Sequence, residues 1–346
     1  MEEWVNCTLG DLLTFQRGYD LPKSEMQSGE YPVVGSNGII GFHNEFTTNE
    51  PSVTIGRSGN VGNPFIYYGK TWSHNTTLYV KDFKGNDPVF IYYFLKTMDL
   101  SNYAGGSAVP TLNRNHIHTL PIRIPLNNQV QEKIGNFLKL FDDKIAENNS
   151  INENLEQQAQ AIYCDMFITN ANPSWQLGRL SDLITVRYGK DHKKLADGIY
   201  PVYGSGGVIR YVEKPLYDKE SVLIPRKGTL NNVMYVNKPF WSVDTMFFTE
   251  MKLPNVSKFV FHFVKSKDLA SLNAGSAVPS MTTDILNAME LPIPDANTFY
   301  KFENIVAPLY QAMQQNAQES SKLAELRDSL LPRLMSGELD VSSIDL

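Results

Sequence analysis

From Ile134 onward, apolar side chains recur at alternating steps of four and three: Ile134, Leu138, Phe141 and Ile145, then Leu155, Ala159, Ile162 and Met166, with Asn148 and Asn152 interrupting the row. The same steps return 168 residues later as Phe302, Val306, Leu309, Met313, Asn316, Ser320, Leu323, Arg327, Leu330 and Leu334. Alternation of four and three is the seam of a coiled coil. It predicts two helices of about 35–40 residues, each about 50–60 Å long at 1.5 Å per residue. If they pack antiparallel, positions summing to 468 face one another. Asn148 then meets Ser320 and Asn152 meets Asn316, while Ile145 meets Leu323 and Leu155 meets Met313. A polar layer of this kind fixes register at some cost in stability. A parallel pairing would also match Asn148 with Asn316. Connectivity favours antiparallel, because the chain must build a second globular half after the first helix and return. One pairing is poor: Phe141 opposite Arg327. An arginine stem can nevertheless cover an aromatic face.

Outside these runs the period shortens. Ser52–Ile55, Thr77–Val80, Ser221–Ile224 and Met246–Thr249 read as strands rich in β-branched and aromatic residues, broken by Gly, Pro and Asn. Short helices are expected around Val89–Met98 and Val256–Ser266. The globular parts are also copies. An offset of 169 carries Tyr31-Pro32-Val33-Val34-Gly35-Ser36-Asn37-Gly38 onto Tyr200-Pro201-Val202-Tyr203-Gly204-Ser205-Gly206-Gly207, and Ile55-Gly56-Arg57 onto Ile224-Pro225-Arg226. It also carries Trp72-Ser73 onto Trp241-Ser242 and Gly106–Pro110 onto Gly275–Pro279. A single offset held so far marks a tandem repeat. The expected architecture is α+β: two repeated domains separated by two long helices that form an antiparallel coiled coil with a pseudo-two-fold axis. The expected boundaries are 1–128, 129–173, 174–298 and 299–346.

The net charge of −6 is uneven. The helical segments carry −4 and −3, the globular ones −2 and +3. A nucleic-acid binder needs local positive patches more than a positive total, but so little excess charge points to a partner sharing the phosphate contacts. Cys7 and Cys164 form no CxxC pattern, which suggests a reducing compartment. No signal peptide or spanning run is read, so the expected location is the cytoplasm, with no membrane partner.

The layout resembles the specificity subunits of type I restriction–modification enzymes, over essentially the whole chain. The most telling stretches are Gly106-Ser107-Ala108-Val109-Pro110-Thr111-Leu112-Asn113 and its partner Gly275–Thr282. The Leu-Pro-Ile segments at 120–122 and 291–293 and the tail Leu331-Pro332-Arg333-Leu334-Met335-Ser336-Gly337-Glu338-Leu339 add to them. The resemblance implies two target recognition domains, each reading half of a split target in double-stranded DNA, with the helices setting the gap. It implies docking of methyltransferase subunits, two of them, and of a restriction and motor subunit in the larger complex. S-adenosylmethionine is then expected on the methyltransferase partner and no cofactor on this chain.

Candidate DNA contacts follow the Gly-rich turns. Ser36 and Asn37, with Ser205 in the second copy, could bring backbone amides to a phosphate or base edge; a plain hairpin turn is the alternative. Arg57, Ser58 and Asn60, with Arg226, Lys227 and Thr229, sit where a strand enters a Gly turn, placed for phosphate or guanine; an ordinary surface loop, or an arginine buttressing its own domain, is the alternative. His74 and Asn75 differ from Val243 and Asp244, as two different half-sites would require. Trp72 and Trp241 read better as core anchors than as stacking residues. Lys190 and Lys193 belong to a basic run that tracks phosphates or is merely solvated. Arg17-Gly18-Tyr19 is its thinner counterpart. Arg114, between Asn113 and Asn115, could reach DNA, or the segment caps a helix.

No catalytic arrangement is evident. His116 and His118 lack further ligands, so no metal is expected. There is no GxxxxGK[ST] loop, no strand–GxGxxG–helix unit and no Asn-Pro-Pro-aromatic motif. An enzyme acting alone should repeat an acidic cluster in register; Asp11 does recur as Asp182, but that pair looks like helix caps. A scaffold whose heads bind proteins should lack the paired Arg57 and Arg226.

Overall fold

The computed structural model describes residues 3–106, 110–272 and 280–341. Residues 107–109 of the first Gly-Ser-Ala-Val-Pro segment, and all of its partner at 275–279, lie outside them. The chain divides into two compact units, Met1–Asn149 with Ala317–Leu346, and Ser150–Asn316.

Unit 1 contains a four-stranded sheet in the order Thr14–Arg17, Thr77–Asp82, Ser52–Gly56, Pro64–Tyr67. A three-stranded sheet follows the order Gly38–His43, Tyr31–Gly35, Trp72–Ser73, and Trp4–Thr8 pairs with Pro121–Pro125. All five residues of Ser52–Gly56 are buried, which suits the β-branched Val53, Thr54 and Ile55 of this interior strand. The predicted helix at Val89–Met98 forms as Pro88–Thr97, started by Asp87, whose carboxylate accepts the Phe90 amide at 2.7 Å. Asp11 accepts the Thr8 amide at 2.8 Å, so it is a cap residue.

Unit 2 repeats the design. Its four-stranded sheet runs Ile184–Tyr188, Met246–Met251, Ser221–Pro225, Met234–Val236, and its three-stranded sheet Gly207–Val212, Tyr200–Gly204, Trp241–Ser242. Gln176–Arg179 pairs with Glu290–Ile293. Asp182 accepts the Arg179 amide at 2.7 Å, as Asp11 does in unit 1. The helix expected around Val256–Ser266 forms as Ser257–Lys265.

The long helices span Asn128–Cys164 and Ala296–Met335, of 37 and 40 residues. Every seam position named above is buried or half-buried. In unit 1, Ile134 and Leu138 join Leu331 and Leu334 in the core beneath the sheets. Asn148 donates to Ser320 Oγ at 3.3 Å and to Glu319 at 2.8 Å. Arg327 pairs with Asp142, so the two helices run antiparallel within this unit. In unit 2, Asn316 donates to Asn152 at 2.9 Å, and Asn152 donates to the Met313 carbonyl at 3.1 Å. Ala159, Tyr163, Phe302 and Val306 enter that unit's core.

Each head is tied to its helices by a polar triad at equivalent places. In unit 1 the Tyr93 hydroxyl donates to Asp142 at 2.6 Å, and Asp142 also accepts Arg327. In unit 2 fully buried His262 lies 2.8 Å from Gln160 and 2.9 Å from the Tyr310 hydroxyl. His262 follows Tyr93 by 169 positions and Tyr310 follows Asp142 by 168, so one triad is charged and the other neutral.

Candidate nucleic-acid interface

Three loops converge on one face of unit 1. The hairpin Tyr31–Gly35/Gly38–His43 closes with a two-residue turn, Ser36-Asn37, because Gly35 pairs with Gly38. The loop after Ser52–Gly56 carries Arg57, Ser58 and Asn60 and turns at Gly59, whose φ of +87° is a glycine conformation. The third loop, His74–Thr76, is stitched to the second. The Thr76 carbonyl accepts the amides of Arg57 and Ser58 at 2.8 and 3.2 Å, and the Thr76 hydroxyl accepts the Ser36 amide at 3.3 Å.

Several candidates turn inward. Ser36 is buried, with its side chain packed toward Gly59, so it builds the turn and offers no side chain to a ligand. The Asn75 amide donates to Asp20 at 2.6 Å. The His74 ring nitrogen Nδ1 is 3.0 Å from the Thr76 hydroxyl, and burial lowers its pKa against the opposing charge of Asp20. Asn113 accepts the Asn115 amide, the capping alternative. Asn37, Asn60 and Arg114 are exposed. Arg57 is half-buried, its Nη1 donating to the Asn75 carbonyl at 3.1 Å.

The sequence offers Arg17 only as the thinner counterpart of the Lys190–Lys193 basic run, and His116 only as a metal-ligand candidate. Both line an open cleft of about 540 Å³ with Arg57, Arg114 and Tyr103. The Leu112 amide donates to the Arg57 carbonyl at 2.9 Å, which holds the Arg114 segment against the Arg57 loop. His118 faces away from the cleft chemistry and accepts the Phe15 amide at Nε2, 3.0 Å. Among the described residues, no group of three or more His, Cys, Asp or Glu is arranged to hold a metal ion.

Unit 2 builds the same loops with other side chains. Gly204 pairs with Gly207 around Ser205-Gly206, and Gly228 turns with φ of +84° beside the Ser205 hydroxyl. The Thr245 carbonyl accepts the amides of Arg226 and Lys227 at 2.9 and 3.2 Å, matching Thr76. Lys227 and Thr229 are exposed, as are Lys190 and Lys193 on the neighbouring loop. That loop is held by the buried Trp241, whose indole donates to the Lys190 carbonyl at 2.8 Å, so this tryptophan is an anchor.

Fold and face define a duplicated module: one scaffold built twice, with basic loops at matching register and different side chains around them. The family model described as type I restriction modification DNA specificity domain matches residues 1–157 and again 172–326, and the chain belongs to that family. Among its relatives, the type I restriction enzyme MjaIX specificity subunit of Methanocaldococcus jannaschii is 23% identical over 303 residues, 74% of this chain and 70% of that one. The HindI specificity subunit of Haemophilus influenzae is 20% identical, covering 73% and 77%. The crystal structure of a type I restriction–modification S subunit from M. genitalium shares the fold, with a TM-score of 0.62 at 21% identity over 96% of each chain. Specificity subunits are generally non-catalytic members of their systems. No helix among the described residues is long and apolar enough to cross a membrane.

Proposed function

We propose that this chain reads a bipartite target in double-stranded DNA, one half per module, through 1–128 and 174–298. The observation that carries the reading is the pair Arg57 and Arg226. Both leave a buried strand, turn at a left-handed glycine and are held by the carbonyl of the same loop residue, Thr76 or Thr245. Around them the copies diverge, as His74-Asn75 against Val243-Asp244 and Arg17 against Tyr188. A shared scaffold with different neighbours suits two different half-sites, because phosphate contacts position a protein while base edges specify the sequence. The helical segments 129–173 and 299–346 set the gap and dock two methyltransferase subunits, and a restriction and motor subunit joins the full complex. Methyl transfer and S-adenosylmethionine belong to the methyltransferase partner, and the complex works in the cytoplasm.

Methylation mapping tests this. The chain is expressed with its methyltransferase subunit in an unmethylated host, and modified adenines are located across the genome. Two short blocks separated by a fixed unspecified gap are expected. A single uninterrupted motif would mean that one module reads DNA. Absence of methylation from an assembled, cofactor-supplied complex would point to a protein-binding scaffold.

A further inference from the structure

We propose that Arg17, Arg57 and Arg114 form a grip for a DNA backbone phosphate in unit 1, and that the equivalent place in unit 2, where a tyrosine packs on the one remaining arginine, lacks this three-arginine grip. The proposal rests on the DNA reading above and deepens it: the two half-sites are held differently.

The three arginines line one cleft with no carboxylate in its wall, and among the described residues none of them is in an ion pair. Burial, and then the charge of Arg17, push the Arg57 guanidinium below its ordinary pKa. Like charges gathered in a half-buried cleft without a counter-ion are unfavourable, and an anion would reverse that cost. A guanine edge takes one arginine fork. Several guanidinium groups converging on one open cleft suit a phosphate, whose oxygens accept from more than one fork.

Strand register shows what stands there in unit 2. Tyr188 pairs with Phe247 as Arg17 pairs with Leu78, and the Met281 amide donates to the Arg226 carbonyl as Leu112 does to Arg57. Tyr188 therefore replaces Arg17, Thr283 replaces Arg114, and Asp284 replaces Asn115. The Arg226 guanidinium lies 5.4 Å from the Tyr188 ring centre, a cation–π contact where unit 1 has repulsion. Of the three arginines only Arg226 has a counterpart, an acid has been added nearby, and Lys227 stands where unit 1 has Ser58.

Binding of the full chain to a labelled duplex of about 40 base pairs, from about 50 to about 200 mM salt, counts neutralised phosphates from the slope of log K against log salt. Arg17→Gln with Arg114→Gln should flatten the slope by about 1. The Arg17→Lys, Arg114→Lys pair should keep it, since an ammonium also pairs with phosphate. Thr283→Arg should steepen it by about 1, a gain that misfolding cannot produce. An unchanged slope in the glutamine pair, a lysine pair that behaves like the glutamine pair, or an altered methylation motif at unchanged slope overturns the phosphate grip and leaves the DNA reading standing. A wild-type chain that binds no duplex, alone or with the methyltransferase subunit, overturns the DNA reading itself.

Discussion

His262 makes the stability of unit 2 depend on pH in a defined window. The ring is fully buried beneath the long helices, 2.8 Å from Gln160 Oε1 and 2.9 Å from the Tyr310 hydroxyl. An amide oxygen only accepts, so Nδ1 carries the hydrogen and Nε2 accepts from the tyrosine. Burial, helped by the charge of Lys265, lowers the His262 pKa from 6.5 to about 4. The folded state therefore resists a proton that the unfolded chain accepts. The stabilisation is complete above about pH 6.5 and is lost as pH falls toward 4. Over the whole window it amounts to about 3 kcal/mol, and between about pH 7 and pH 5 to about 2 kcal/mol. Urea unfolding followed by tryptophan fluorescence reads this, since Trp175 packs on Phe167 in the same core. His262→Gln removes the titrating group, and the variant should lose about 2 kcal/mol less than wild type between the two pH values. Carboxylate titrations are common to both proteins and cancel in the difference. Equal pH dependence in the two, whatever their absolute stabilities, would refute the assignment.

Two further outcomes test the scaffold. Asp142→Ala strips the Tyr93 hydroxyl of its acceptor and leaves Arg327, 16% exposed, with Asp328 alone. It should cost about 2 kcal/mol by thermal unfolding, and Asp142→Asn should recover part of this by still accepting from Tyr93. At Gly189 an added Cβ would stand 2.0 Å from the Val243 carbonyl oxygen, and backbone cannot swing aside. Gly189→Ala should lower stability by about 3 kcal/mol. Gly206→Ala meets nothing within 4 Å and should stay within about 0.5 kcal/mol. A Gly189 variant as stable as the Gly206 variant would contradict the packing described.

Much of the scaffold was legible because periodicity is a local signal. The helix read at Val89–Met98 forms as Pro88–Thr97, and the strand read at Thr77–Val80 as Thr77–Asp82. The tandem offset foretold that both units would share one sheet order, since equal apolar spacing buries equal faces. The seam placed Asn152 beside Asn316, where one donates to the other. It also set Arg327 against Phe141, whereas the guanidinium takes Asp142, one residue on. A seam tracks positions along a helix face; it does not follow where a long charged side chain swings for a partner.

The candidate site was less legible, and the reason is distance along the chain. Arg57 stood out because a strand, an arginine and a turning glycine lie together in sequence. Arg17 and Arg114 are 97 residues apart, and nothing local announces that they line one cleft. Nor does sequence reveal that Ser36 is buried or that Asn75 spends its amide on Asp20. The chain by itself determined a duplicated α+β module with two seamed helices, because spacing of apolar residues selects helix or strand and repeats wherever it is copied. Only the tertiary structure decided which polar side chains are spent internally and which are left facing outward, because that depends on partners brought close by folding.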